Sequence, residues 1–261
     1  QLLTDFGPAL EAGEITLHIQ PKVSPNAKQT LGGEALVRWV HPQFGFVNPE
    51  EFISVIESAG QINLLTRWVI EQAVVMLAAL SKQYPGFKLS VNLSVLDLLD
   101  NELCEFVAHL LHRSSQSSSG LCFEMTEGAI MRETEKSLEN LEKLHALGVE
   151  LSIDDYGTGY SSLSQLKRLP VSELKIDKSF VLNLERNPDD QQIVKSTIDL
   201  GHSLGLSVTA EGVESESSRD WLLAHGCNTL QGYFYSKALP FDKFEQWLKR
   251  YRHQERVQHE G

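Results

Sequence analysis

Residues 16–40 read TLHIQPKVSPNAKQTLGGEALVRWV. Two runs rich in β-branched and apolar residues, Thr16–Val23 and Glu34–Val40, flank the stretch from Ser24 to Gly33. That stretch is shorter than the crossover of roughly a dozen or more residues that a parallel pair needs, so the two runs are expected to pair antiparallel. Downstream the pattern changes. Strand-like runs at Lys88–Ser94, Leu121–Thr126, Glu150–Asp154, Glu173–Ile176, Ser207–Ala210 and Thr229–Tyr233 are separated by segments of helical period. Leu138, Leu141, Leu144 and Leu147 share one helical face, as do Ile193, Val194, Thr197, Ile198 and Leu204. Strand and helix alternate as βαβ units require. The predicted fold is therefore α/β, a modified TIM (β/α)8-type barrel with an antiparallel first strand, and not an open sheet.

At 261 residues and 41% hydrophobic content the chain suits one such barrel, and 1–261 reads as a single domain. The serine-rich segment Ser114–Gly120 is read as a helix-to-strand connection, because the alternation continues beyond it. No run of about 18 or more apolar residues appears, and no basic segment precedes an apolar stretch at the start. The expectation is a soluble, cytoplasmic domain excised from a longer protein, with any sensor or membrane anchor lying upstream of Gln1. Cys104, Cys122 and Cys227 form no C-x-x-C pair, which argues against a disulfide framework or thiolate zinc site and for reduced, buried thiols. A net charge of -12 argues against binding polymeric nucleic acid. An acidic protein can still take a phosphodiester if part of its charge is a cluster that recruits divalent cations.

In a barrel of this type the active-site face lies at the carboxyl ends of the strands. There the sequence places Glu34, Asn92, Glu124 with Glu127, the pair Asp154-Asp155, Lys175, Glu211 with Glu214, and Gln231. One acid at a strand end is usually a helix cap or a solvent contact; convergence changes that. Carboxylates facing one mouth would raise one another's pKa, and desolvation would add to the cost of ionising them, so the cluster is tolerable only with cations in it. Oxygen ligands suit Mg²⁺ or Mn²⁺ and not zinc. The nine histidines show no H-x-x-x-H spacing and are read as surface or helix residues. Where a strand ends the chain turns, so one member of Asp154-Asp155 can bridge two ions while its neighbour serves one, as two-metal phosphoryl chemistry needs. The following Gly157–Ser162 segment lacks the Gly-Lys-Ser/Thr ending of a P-loop and is read as a mobile loop positioning the Asp pair. Lys175, within a strand pattern, is expected to face the acids as an ammonium.

These residues carry a family resemblance. Gln20-Pro21, Glu34-Ala35-Leu36-Val37-Arg38, Val91-Asn92-Leu93-Ser94, Glu124-Met125-Thr126-Glu127, Asp154-Asp155-Tyr156-Gly157-Thr158-Gly159-Tyr160-Ser161-Ser162, Lys175-Ile176-Asp177, Ala210-Glu211-Gly212-Val213-Glu214 and Gln231-Gly232-Tyr233 occur in order across nearly the whole chain. The series resembles the EAL family of cyclic di-GMP phosphodiesterases. Tyr156 stands where Phe is commoner and Ala238 where proline is, neither at a ligand position.

The resemblance implies hydrolysis of cyclic di-GMP to linear pGpG with Mg²⁺ or Mn²⁺, two ions being expected, and inhibition by Ca²⁺. It implies that Glu34, Asn92, Glu124 and Asp154 hold one ion, and that Asp154 and Asp155 hold the second, with Glu211 left open between that ion and the proton. The water between the ions is then the nucleophile, with Lys175 orienting the hydroxide and Glu211 accepting its proton or binding the second ion. Gln20, Leu36, Arg38 and Gln231 resemble substrate-lining positions, the planar fork of Arg38 suiting a phosphate. Glu127 resembles a glutamate that anchors the loop, and Glu214 its supporting partner. A homodimer and attached sensor or GGDEF-type domains are implied in the same way. Two rival readings are a catalytically silent cyclic di-GMP receptor and an enolase-like lyase; the first usually lacks a metal ligand, and the second does not account for the ordered motifs.

Overall fold

The computed structural model describes residues 1–24, 32–114, 118–131, 135–159 and 163–260, apart from the side chains of Ser119, Met131 and residues 254–260. The first connection at 25–31, part of the serine-rich segment at 115–117, and Tyr160-Ser161-Ser162 of the glycine-rich loop lie outside the described residues.

Ten strands occur among the described residues: β1 Ile15–Val23, β2 Gly32–His41, β3 Gly45–Val47, β4 Lys88–Asn92, β5 Leu121–Thr126, β6 Glu150–Tyr156, β7 Glu173–Ile176, β8 Ser207–Ala210, β9 Thr229–Gln231 and β10 Leu239–Pro240. The parallel series β2-β4-β5-β6-β7-β8-β9 is closed by β1, antiparallel to both β2 and β9. Gln20 pairs with Glu34, and Lys22 with Gln231. The expected eight-stranded barrel with a reversed first strand is what forms. The short strands β3 and β10 are additions that extend β2 and β1 at the rim.

Boundaries differ from the expected runs for local reasons. The third expected strand stops at Asn92, because Ser94 caps the helix Val95–Leu98 in a reciprocal capping box with Asp97. The eighth stops at Gln231, where Gly232 passes so close to the Val213 backbone that a Cβ would collide with it.

Helices Ile62–Gln83, Leu103–Ser114, Glu135–Ala146 and Pro188–Ser203 surround the sheet. Between them and the barrel lies the main core, in which Leu89, Val91, Leu121, Phe123, Leu151, Ile153 and Leu174 point outward from their strands. The helix Ile62–Gln83 is apolar enough by length and composition to cross a membrane. Its Leu65, Val69, Ile70, Ala73, Val74 and Leu77 are nevertheless buried in this core. The three cysteines are free and buried. His41 departs from the surface-or-helix expectation: it is buried at the end of β2, stacked on Phe44 and hydrogen-bonded to Asp5, because the β2–β3 hairpin folds over it.

With apolar residues facing out, the alternate residues face in. Those inward positions include Lys22, Ser90, Glu173 and Thr209 as well as the acids at the rim, so hydrogen bonds and ion pairs cross much of the barrel interior. A barrel of this type ordinarily fills with branched apolar side chains.

Candidate active site

Lys175 occupies the centre of the mouth and is fully buried. Its Nζ lies 2.5 Å from Glu124 Oε2, 2.7 Å from Glu211 Oε1, 3.0 Å from Asp154 Oδ2 and 3.4 Å from Glu34 Oε2. The acids come from β5, the residue after β8, β6 and β2, so closure of the barrel brings them together. Its neighbours Leu174 and Ile176 are buried in the outer core, and that fixes the inward direction of the lysine between them. Asn92 donates Nδ2 to Glu34 Oε1 at 2.8 Å, leaving its own carbonyl oxygen for another partner. Gln231 donates Nε2 to Glu34 Oε2 at 2.7 Å and to Gln20 Oε1 at 3.1 Å, while its Oε1 is buried without a hydrogen bond.

The pair Asp154-Asp155 sits at a break in the strand. Register shifts between Ile153 and Tyr156, and Asp155 has φ 54°, a left-handed conformation uncommon for a residue other than glycine. Alternation fails there, so consecutive carboxylates can serve one site. Asp154 Oδ1 also accepts the Asp155 backbone N–H at 2.9 Å. Two oxygen triads result, Glu34-Glu124-Asp154 and Asp154-Asp155-Glu211, each with ligand atoms within 4.8 Å of one another, and Asp154 belongs to both.

Electrostatically the mouth is short of positive charge. Burial would push Glu124 up, but Lys175 and Lys22 on its two oxygens bring it down to about 2. Burial raises Asp154 well above the usual carboxylate range against the pull of Lys175, and Glu211, Glu124 and Glu34 add to the rise. Burial likewise pushes Glu211 up to about 7, with Lys175 opposing and Glu34 assisting. Asp155 is raised by burial and by the Asp177 carboxyl beside it. One central ammonium cannot neutralise the ring; the all-oxygen donor set, the free Asn92 carbonyl and the unpaired Gln231 Oε1 fit hard divalent cations.

The loop after the pair is tied down by Glu127, whose Oε2 accepts the backbone N–H groups of Gly157 and Gly159, each at 3.0 Å. A Cβ on residue 159 would lie 3.1 Å from that carboxyl carbon, which is why the anchor and the glycine go together. Leu36 and Arg38, two and four residues past Glu34 on β2, line a cavity of about 490 Å³ with Pro49, Ile53, Asn92 and Ser94. That volume falls in the ~300–1,000 Å³ range of small-molecule sites. Glu214 is not at the mouth: its side chain is exposed in a separate cleft with Asn183, Arg186 and Ser215. The chain turns at Gly212, φ 70°, which separates Glu214 from Glu211.

The sequence reading gave no role to two residues, Lys22 and Asp177. Lys22 lies two positions after Gln20 on β1, so strand alternation puts both inside the barrel, and its Nζ reaches Glu124 Oε1 at 2.7 Å. Asp177, two residues after Lys175, caps the helix Lys178–Val181 and meets Asp155.

Fold and mouth together define a modified (β/α)8 barrel whose rim gathers clusters of oxygen donors that could hold metal ions. The family model described as the EAL domain matches residues 4–238, and the chain belongs to that family. It is 43% identical over 245 residues to the bifunctional diguanylate cyclase/cyclic di-GMP phosphodiesterase MucR of Pseudomonas aeruginosa, covering 93% of this chain and 36% of MucR. It is 35% identical to the cyclic di-GMP phosphodiesterase PdeR of Escherichia coli, covering 95% of this chain and 37% of PdeR. The chain thus spans about a third of the length of these curated relatives. Among solved structures, the PaMucR phosphodiesterase in complex with c-di-GMP superposes with a TM-score of 0.88 at 42% identity, covering 94% of this chain and 99% of that one.

Proposed function

We propose that this domain hydrolyses one phosphodiester bond of cyclic di-GMP to give linear pGpG, using divalent cations. The observation that carries the reading is the pair of oxygen triads sharing Asp154 around Lys175. The naming of MucR, PdeR and the PaMucR complex supports the substrate.

In this proposal Glu34, Asn92, Glu124 and Asp154 hold one Mg²⁺ or Mn²⁺, and Asp154, Asp155 and Glu211 hold a second. Such ions, when bound, polarise phosphoryl oxygens and make a nucleophile of water at neutral pH. The chain's own residues do the rest. Lys175 keeps its proton, because the surrounding carboxylates outweigh burial and raise its pKa well above the ordinary value. It therefore acts as a fixed donor aimed at the attacking oxygen and not as a proton acceptor. Glu211, the most exposed of the four acids around Lys175, would complete the second ion's oxygens from the solvent side. Leu36 and Arg38 hold a base and its phosphate in the adjoining cavity, with Gln20 and Gln231 along the rim. Glu127 keeps the loop backbone where the Asp pair can use it. The relatives' greater length supports reading residues 1–261 as one catalytic unit of a longer signalling protein that carries sensor or GGDEF-type domains.

The test is incubation of the purified domain with cyclic di-GMP and Mg²⁺ or Mn²⁺, with chromatography for pGpG. Turnover that Glu34→Ala abolishes is expected. Binding with no turnover by the unmutated domain overturns the enzyme reading in favour of a receptor.

A further inference from the structure

The cavity beside the mouth has walls of two origins. Leu36 and Arg38 of β2 form one, and Pro49 and Ile53 of the helix Pro49–Ser58 belong to the other. Only Asn48 separates that helix from β3, and its Oδ1 accepts the Glu50 N–H at 3.2 Å, so the helix continues the β2–β3 hairpin without slack. Where the hairpin goes, Pro49 follows.

The hairpin is bolted in turn to the first helix, Leu2–Ala12. Nδ1 of the buried His41 accepts the backbone N–H groups of Gln43 at 3.1 Å and Phe44 at 3.3 Å. The ring proton therefore sits on Nε2, which donates to Asp5 Oδ2 at 3.0 Å. One imidazole thus joins the turn to the helix. Beside it, Phe6 of the same helix packs against Trp39, ring centroids 6.4 Å apart, and Trp39 meets Phe52 edge-on at 5.4 Å. Phe52 lies on the core side of the helix whose Pro49 and Ile53 face the cavity. All three rings are fully buried, and a close-packed interior transmits displacement. His41 is seven residues beyond Glu34 on an extended strand, about 23 Å away, and the partners of Lys175 at the rim include none from the first helix.

We propose that Asp5 and His41 are positioning residues: by clamping the first helix to the hairpin they hold the outer wall of the cavity in place, so that docking of Leu2–Ala12 governs affinity for the substrate and leaves the chemistry at the rim alone. The inference rests on the reading of this cavity as the seat of a substrate base. A clamp that only stabilised the fold would lower the melting temperature and leave substrate affinity as it was.

The experiment is steady-state kinetics of the purified domain with cyclic di-GMP at saturating Mn²⁺, for Asp5→Ala, His41→Ala and Asp5→Asn. KM should rise about tenfold in the two alanine variants, within the range of couplings between separated sites, while kcat stays within about twofold. Asp5→Asn keeps an acceptor oxygen for the Nε2–H and should behave as the unmutated domain. The Asp5 side chain is 33% exposed, so its removal leaves no closed void and a folded protein carries the test if His41→Ala is unstable. Leu111→Ala, in the core side of the helix Leu103–Ser114, controls for lost stability and should leave KM unchanged. An unchanged KM in Asp5→Ala, a rise that Leu111→Ala reproduces, or a kcat that falls in step overturns the clamp and leaves the enzyme standing. Binding without turnover by the unmutated domain overturns the hydrolase reading alone. The same variants are then scored by equilibrium binding of cyclic di-GMP, where an unchanged Kd overturns the clamp.

Discussion

Lys175 Nζ stands 3.0 Å from Asp154 Oδ2, the carboxylate that both oxygen triads share. The lysine and the shared acid thus form the hub of the mouth, and a change at either spoke has a distinct expected consequence.

Replacing Lys175 by alanine removes a donor and leaves the cavity lined by Leu36 and Arg38 untouched. Turnover should fall by about 10²–10³, the usual effect of deleting one donor aimed at developing charge, while cyclic di-GMP affinity stays within a few fold. Steady-state kinetics beside equilibrium binding measures the split. Equal losses in both would move Lys175 to the substrate-binding set.

Glu127→Ala leaves the N–H groups of Gly157 and Gly159 without their acceptor. Both glycines are exposed, so water takes over their N–H groups; each lost bond to a carboxylate costs about 1.5–3 kcal/mol, and the loop beginning at Asp155 is the segment that yields. The Mn²⁺ concentration giving half-maximal turnover should rise. An unchanged Mn²⁺ dependence with reduced stability would make the anchor structural only.

Glu211 supplies a pH signature in metal-free protein. Its folded value of about 7 lies above the ordinary 4.5, so the folded state holds a proton that the unfolded chain releases. The resulting stabilisation is full below pH 4.5 and is lost as pH rises through about 7. Asp154, also raised, contributes with the same sign. The metal-free melting temperature should decline across that window, and Glu211→Gln should flatten the decline. Mn²⁺ should raise the melting temperature more at pH 8 than at pH 6, because the ionised carboxylates it neutralises are present there. A gain independent of pH would refute the assignment of Glu211 to the cation site.

Gly232→Ala places a Cβ against the Val213 backbone, which cannot move without breaking the Val213 N–H bond to the Gln231 carbonyl. Overpacking of this kind costs about 1–3 kcal/mol. Urea unfolding should report a loss at least of that order, and an unchanged midpoint would show that this turn relaxes freely.

Much of the fold was legible in the residues because it follows from local rules. The short step from Ser24 to Gly33 forced an antiparallel pair, and helical period between the later runs forced parallel returns. Gathering of Glu34, Asn92, Glu124, Asp154 and Lys175 at one mouth was likewise legible, since polar residues at the ends of apolar strands have few other places to go. Glu214 illustrates the limit. Three residues after Glu211, it lies beyond the turn at Gly212, and proximity in sequence did not carry it to the mouth. At Asp155 the expected failure of alternation occurs by another route: the strand runs on to Tyr156, and a register break with φ 54°, not a strand end, turns the pair.

From its amino-acid order alone this protein declared its strands, their directions and the chemical type of its rim, because pattern and connection length act over a few residues. Closure of the barrel decided what lies beneath that rim. Lys22 and Glu124, 102 positions apart, meet only because β1 runs backward between β2 and β9 and turns its inward side chains across the barrel. Alternation says that a side chain faces in; only the closed ring of strands determines which partner it finds there.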